Sequence, residues 1–170
     1  PGQRVAVFGI GGLGHLAVQI ARSFGGEVIA VDISDDKLEL ARSLGASTAL
    51  NAATEEVVKR IRKMGGAHVA VVTSGAKAAY DSAFYAVRSS GTLVVVGMPA
   101  EDLSFPAIMM REVTITSSAT GTREDLREVL EMAAEGKLKC LIETRPLDEI
   151  NEVFDQMRHA QITGRVVLAF

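Results

Sequence analysis

The sequence predicts an α/β fold, a doubly wound parallel sheet, from three observations. Strand-length runs that are apolar throughout, such as Val5–Phe8, Val28–Val31 and Thr92–Val96, alternate with amphipathic segments of helix length. Glycines and capping residues punctuate the junctions between them. Strands without a polar face must be covered on both sides, which is the condition of a parallel sheet with right-handed helical crossovers.

The first strand, Val5–Phe8, stops at glycines and is followed by Leu13, Leu16, Ala17, Ile20, Ala21 and Phe24 at helical spacing. The second strand, Val28–Val31, ends at Asp32, and Ser34 is placed to cap a helix whose Leu38, Ala41 and Leu44 share a face before Gly45. Thr48–Leu50 reads as a weaker third strand, and Thr54 as the start of a helix carrying Val57, Ile61 and Met64 as far as Gly65-Gly66. Val69–Val72 and Thr92–Val96 are the fourth and fifth strands, flanking an Ala-rich helix with Ala79, Ala83, Phe84 and Val87 on one side. Val113–Thr116 is the sixth. Thr122-Arg123-Glu124-Asp125 then resembles a capping box that opens a helix with Leu126, Val129, Leu130 and Ala133, stopped by Gly136. Leu141–Arg145, a helix through Ile150, Val153, Phe154 and Met157, and Val166–Leu168 form a tail that the six-strand sheet does not need. The reading therefore divides the chain into a main domain over 1–140 and a tail over 141–170.

At 170 residues and 48% hydrophobic, the chain can bury a full core. Eighteen Lys and Arg against twenty-one Asp and Glu give a formal charge of −3, with no basic block to neutralise phosphates, so no nucleic-acid partner is expected. The apolar runs fall short of the about 20 residues that span a bilayer, so no membrane partner is expected either. A single cysteine, Cys140, excludes an internal disulfide and fits a reducing, cytoplasmic setting. Pro1-Gly2-Gln3-Arg4 carries neither an initiator Met nor a signal-peptide pattern, so the sequence reads as starting inside a longer polypeptide.

Gly9-Ile10-Gly11-Gly12-Leu13-Gly14 satisfies G-x-G-x-x-G directly after a strand and at the mouth of a helix. Gly9 permits the tight turn, Gly11 removes a side chain that would block a pyrophosphate, and Gly14 lets helix and strand pack closely. N–H groups at the helix start, including those of Gly12 and Leu13, then face the phosphates with the helix dipole behind them. Asp32, ending the second strand, can accept hydrogen bonds from the adenosine ribose and repel a 2′-phosphate, which selects NAD over NADP. Its competing role is that of a loop or capping aspartate. Lys37 lies beside the same ribose or is a solvated helix-face lysine, and the pattern leaves both open. These features define a Rossmann fold, with strands expected in the order 3-2-1-4-5-6. Gly14 is followed by His15 and Leu16 rather than Lys and Ser or Thr, which excludes a Walker phosphate loop. No Tyr-x-x-x-Lys is present either, since Tyr80 leads to Phe84 and Tyr85 to Ser89.

Further stretches, GGAHVAVVTS (65–74), GTLVVVGMP (91–99), GTREDLREVLEMAAEGKLK (121–139), INEVFDQM (150–157) and TGRVVLAF (163–170), together resemble the coenzyme half of the zinc-dependent medium-chain alcohol dehydrogenases, especially the tetrameric bacterial and yeast-type enzymes. The resemblance covers essentially the whole chain. It implies an oxidoreductase that interconverts primary or secondary alcohols with aldehydes or ketones, using NAD. It also implies coenzyme contacts: Gly11, Gly12, Leu13 and Gly14 at the pyrophosphate, Asp32 and Lys37 at the adenosine ribose, and Ser74 at the adenine end. Val96 and Met98 would meet the nicotinamide half through their backbones, with Ser118 and Thr120 approaching the same end. Arg165 matches an arginine that pairs with the pyrophosphate. Read without the resemblance, Val96 is a core valine, Ser118 a strand-end cap and Arg165 a surface arginine in a tail whose docking is open.

In that family the zinc ligands belong to an N-terminal domain. Here Cys140 has no C-x-x-C partner and His15, His68 and His159 are scattered, so the metal's ligands are expected outside this chain and no catalytic residue is assigned within it. Without zinc to polarise the alcohol oxygen, the chain is expected to bind NAD(H) without turnover. Two other readings stand beside this one: the coenzyme half of a cinnamyl-alcohol, polyol or quinone-type reductase, and a non-catalytic NAD-sensing module. Pairing through the edge of the sixth strand, giving a homodimer or homotetramer, is also expected.

Overall fold

A computed structural model describes all 170 residues. Six parallel strands, β1 (Arg4–Phe8), β2 (Glu27–Asp32), β3 (Thr48–Asn51), β4 (Ala67–Val72), β5 (Val87–Val95) and β6 (Thr114–Ser117), form one sheet in the order β3-β2-β1-β4-β5-β6. The predicted order is borne out, and every neighbouring pair is parallel.

Strand alternation divides the core in two. Ala6 and Phe8 of β1, with Ile29 and Val31 of β2, point into a 17-residue cluster with α3 (Val57–Lys63) and α4 (Lys77–Ala86). Their neighbours Val7, Val28 and Ala30 join a smaller cluster of 7 residues on the other face, under α1 (Gly14–Ser23) and α2 (Asp35–Ser43). Successive side chains of a strand must leave by opposite faces, so an all-apolar strand needs both covers.

Four local expectations are corrected. Ser34 occupies the N-cap position of α2 but makes no side-chain cap bond. Its own N–H is taken at 3.0 Å by Asp32, and Asp35 and Asp36 in the first turn complement the helix dipole instead. Thr54 does not open α3: Asn51 accepts the Ala53 N–H at 2.9 Å in an Asx turn, which holds the chain until Val57. Val87 belongs to β5 and not to the Ala-rich helix, because α4 ends at Ala86 and the backbone becomes extended at once. β6 starts at Thr114, one residue later than expected, and the buried Val113 precedes it.

A short helix, α5 (Ile108–Arg111), precedes β6, and α6 (Arg123–Ala134) follows it with the expected capping box. Thr122 Oγ1 accepts the Asp125 N–H at 3.2 Å while the Asp125 carboxylate accepts the Thr122 N–H at 2.6 Å. Those bonds from Thr122, its backbone N–H first, hold the Asp125 carboxyl below its ordinary range. The tail forms its own two-stranded parallel sheet from β7 (Ile142–Pro146) and β8 (Arg165–Ala169), connected through α7 (Ile150–Arg158).

Candidate functional site

The glycine loop leaves β1 at its carboxyl end and is bracketed by its neighbours. Gly9 adopts φ +91°, and a Cβ there would come within 3.0 Å of Ser74 Cβ. Its N–H donates to Val31 O at 2.8 Å, and Thr73 Oγ1 donates to its carbonyl at 2.6 Å. A Cβ on Gly14 would fall on the Gly9 carbonyl, so the third glycine is required by the turn itself. Gly11 differs: its φ is not left-handed and an added Cβ would meet nothing within 4 Å. Neither conformation nor packing inside the chain requires a glycine there, and the position opens onto free space. Leu13 is exposed, and the N–H groups of Gly12 and Leu13 donate to no acceptor in the chain.

Asp32 ties the end of β2 to this loop. Its Oδ2 accepts the Ile10 N–H at 2.6 Å, and Oδ1 accepts those of Ile33 at 2.8 Å and Ser34 at 3.0 Å. The contacts of a loop aspartate are thus present. A carboxylate has about four acceptor positions, so one on Oδ2 remains for a hydroxyl. Lys37 is neither solvated nor directed outward: it is buried, and its Nζ donates to Ala160 O at 3.0 Å. Gly9, Asp32, Lys37, Ser74 and Ala160 share one cleft of about 290 Å³, lined largely by small apolar side chains.

At the far end of the sheet, the N–H groups of Val96 and Gly97 both donate to Val72 O, at 3.0 and 2.9 Å, and terminate β5. The Tyr80 hydroxyl donates to Gly97 O, and burial pushes its pKa up. Ser118 N–H donates to Val95 O at 3.0 Å. The side chain of Met98 projects freely, 89% exposed, while Ser118 and Thr120 are exposed beyond β6. Val96, Met98, Ser118 and Thr120 line neither the cleft beside Asp32 nor the one beneath the tail. They still share the carboxyl edge of the sheet with the glycine loop, where open α/β sheets take ligands.

Arg165 reaches the loop from the tail, its Nε 2.8 Å from where a Cβ on Gly12 would stand. The two residues share a second cleft of about 380 Å³ with α7. Two contacts near the loop had no signal in the sequence. His15 is fully enclosed, with Nδ1 3.0 Å from Gly11 O and Nε2 accepting the Leu141 N–H at 3.2 Å. The carbonyl of Ala160, itself left-handed with φ 55°, receives Lys37. Both join residues more than a hundred positions apart, beyond the range of periodicity or caps. A separate hollow of about 570 Å³ beside α3 is lined by Glu55, Glu56, Lys59, Arg62 and Lys63, a solvated helix face, and contains none of the predicted residues.

The histidines remain apart. His68 Nδ1 accepts the Arg4 N–H at 3.0 Å, and His159 Nδ1 lies 2.7 Å from Asp155 O. No three His, Cys, Asp or Glu side chains come together as a metal ion would need.

A 3-2-1-4-5-6 parallel sheet with a G-x-G-x-x-G turn at the switch between its halves defines the Rossmann class of protein. The profile of the zinc-binding dehydrogenase family matches residues 12–135, and the chain belongs to that family. An alcohol dehydrogenase of Geobacillus stearothermophilus is 48% identical over 99% of this chain, which covers 51% of that enzyme. The crystal structure of the alcohol dehydrogenase of Aeropyrum pernix superposes with a TM-score of 0.94 at 34% identity, over 100% of this chain and 51% of the other. The acetophenone reductase of Geotrichum candidum, solved in complex with NAD, gives 0.89 at 29% identity over 99% of this chain and 48% of its own. The chain thus spans about half the length of the relatives it matches.

Proposed function

We propose that this chain binds NAD(H) along the carboxyl edge of its sheet, as the coenzyme half of an alcohol dehydrogenase. The observation that supports this most directly is Gly11, a glycine that the chain's own packing does not need, beside N–H groups without acceptors. Gly12, Leu13, Gly14 and Arg165 would hold the diphosphate, Asp32 and Lys37 the adenosine ribose, and Ser74 the adenine end. Lys37 would do so after releasing, or while sharing, the Ala160 carbonyl. The backbones of Val96 and Met98, with Ser118 and Thr120, would flank the nicotinamide. When bound, NAD supplies a hydride acceptor. The carboxylate of Asp32 disfavours a 2′-phosphate at the ribose.

The zinc of the family name has no ligand set among these residues: His15 is enclosed with both nitrogens engaged, and Cys140 stands alone. We place its ligands, and the alcohol, aldehyde or ketone pocket, in the other half of the parent enzyme. In our reading residues 1–140 form the coenzyme domain and 141–170 the tail. The edge of β6, bonded only to β5, supports pairing into a dimer or tetramer. The exposed, unpaired Cys140 supports a reducing cytoplasmic setting, and no helix is long and apolar enough to cross a membrane.

Titration of the chain with NADH and NADPH tests the proposal. Saturable NADH binding below millimolar concentration is expected, with NADPH at least about tenfold weaker, the size of one repulsive charged contact. No NADH formation is expected when ethanol and NAD are mixed with the chain alone. Absence of NADH binding at millimolar concentration would sink the coenzyme reading, and alcohol-dependent NADH production would sink the placement of the zinc.

A further inference from the structure

One fully enclosed titratable side chain takes no part in the contacts proposed above: His15, in the first turn of α1. Its ring joins two separate pieces of backbone. Because Nε2 accepts the Leu141 N–H, the ring proton is assigned to Nδ1, which donates to Gly11 O. Leu141 is in turn bound to β8, its carbonyl accepting the Arg165 N–H at 2.9 Å. The Arg165 side chain then returns to the face of Gly12. Gly11, His15, Leu141, Arg165 and Gly12 therefore close a ring of contacts that begins and ends in the glycine loop. One turn further along α1, Gln19 grips the same connecting segment: its Oε1 accepts the Lys139 N–H at 2.8 Å and its Nε2 donates to Lys139 O at 2.9 Å.

We propose that His15 is a positioning residue which, through Leu141, sets where β8 begins and so holds the Arg165 guanidinium over Gly12, against the coenzyme diphosphate. The inference rests on the NAD(H) reading above. Its physical basis is that packing leaves the tail's position undetermined. Beyond residue 136 only Leu138 and Val153 among the apolar side chains are buried, and apolar contact has no direction in any case. Hydrogen bonds have direction, and a planar imidazole with both nitrogens engaged is a spacer of fixed length. Asparagine can reproduce the Nδ1 donor and glutamine can reach the Nε2 position, but neither spans both.

NADH titration by nicotinamide fluorescence, with amide hydrogen exchange of Leu141 and Arg165 in the ligand-free chain, tests this. Arg165→Ala is expected to weaken NADH by about tenfold or more, the size of a lost charge-assisted hydrogen bond. His15→Asn, too short for Leu141, is expected to weaken it about fivefold and to speed exchange at both amides. His15→Gln, whose Oε1 can accept the Leu141 N–H, restores affinity and protection. In the Arg165→Ala background His15→Asn costs nothing further, and adenosine, which has no phosphate, binds His15→Asn as it binds the parent chain. Equal losses from His15→Asn in both backgrounds would overturn the proposal, as would unchanged NADH binding or failure of His15→Gln to rescue. A parent chain that ignores NADH overturns the coenzyme reading and the diphosphate role with it. Unchanged exchange at Leu141 and Arg165 in His15→Asn overturns the docking role in either case.

Discussion

The six-stranded body and the tail are both built from strands and helices, yet different forces hold them in place. In the body, 17 side chains on one face of the sheet and 7 on the other are buried, and the central strands β1 and β2 send buried side chains into both clusters. In the tail, α7 buries only Val153, while Phe154, Met157 and Val167 remain about half exposed. A two-stranded sheet is marginal by itself. Its attachment comes from directed bonds, Leu141 to His15 and Ala160 to Lys37, with the connecting segment held at Lys139 by Gln19. Burial gives the body its stability, and hydrogen-bond geometry gives the tail its location. Phe84 and Arg145 show the difference in the character of the two regions. Phe84 is 1% exposed against the Phe105 ring, whereas Arg145 pairs with Glu143, Glu149 and Glu152 at the surface of the tail.

The largest effect should come from the body. Phe84→Ala removes a ring packed 5.2 Å from Phe105 and 5.0 Å beneath the Arg111 guanidinium, and is expected to cost roughly 3–5 kcal/mol in urea unfolding. A loss below about 1 kcal/mol would mean that this face collapses around the cavity and that the contrast with the tail is overstated. Val153→Ala, which deletes two methyl groups, should cost about 1.5 kcal/mol. That loss should appear in hydrogen exchange of β7 and β8 while the amides of β1 keep their protection. Equal loss in β1 would show that body and tail unfold as one unit.

The smallest expected effect is a pH dependence within the body. Burial, then the charges of Arg88 and Arg4, hold the pKa of His68 below its ordinary 6.5. As pH falls below that ordinary value the unfolded chain takes up the proton first, so the contribution of His68 to stability is complete above about 6.5 and is lost as pH passes down through the lowered folded value. His68→Gln should flatten this limb of the stability curve. An unchanged limb would assign it to other groups.

The same contrast separates what could be read in the sequence from what could not. All six strands and their order were legible: β1 and β2, buried on two faces, leave unbroken apolar runs, whereas the mostly exposed β6 showed only the short Val113-Thr114-Ile115-Thr116 run. The capping box at Thr122 was legible because its partners lie three residues apart. Helix α5 was not: its four residues complete barely one turn, between left-handed Ala107 and Glu112. The late start of α3 depends on an Asx turn at Asn51 that competes with the Thr54 signal. Within the site, the roles of Gly9 and Gly14 follow from local geometry and could be anticipated. The meeting of Arg165 with Gly12, and of Lys37 with Ala160, depends on how the tail docks, which no local pattern encodes.

Arg165 is the first residue of β8, and exposure alternates along that strand, Arg165, Val167 and Ala169 outward, Val166 and Leu168 inward. A chain lengthened by one residue between His159 and Gly164 could seat the strand in the next register, turning arginine and valine onto each other's sides. The connection after α7 thus acts as a measured tether. Related chains should tolerate substitution within it more readily than insertion, and a change of length there is the sequence event that would separate this tail from the glycine loop.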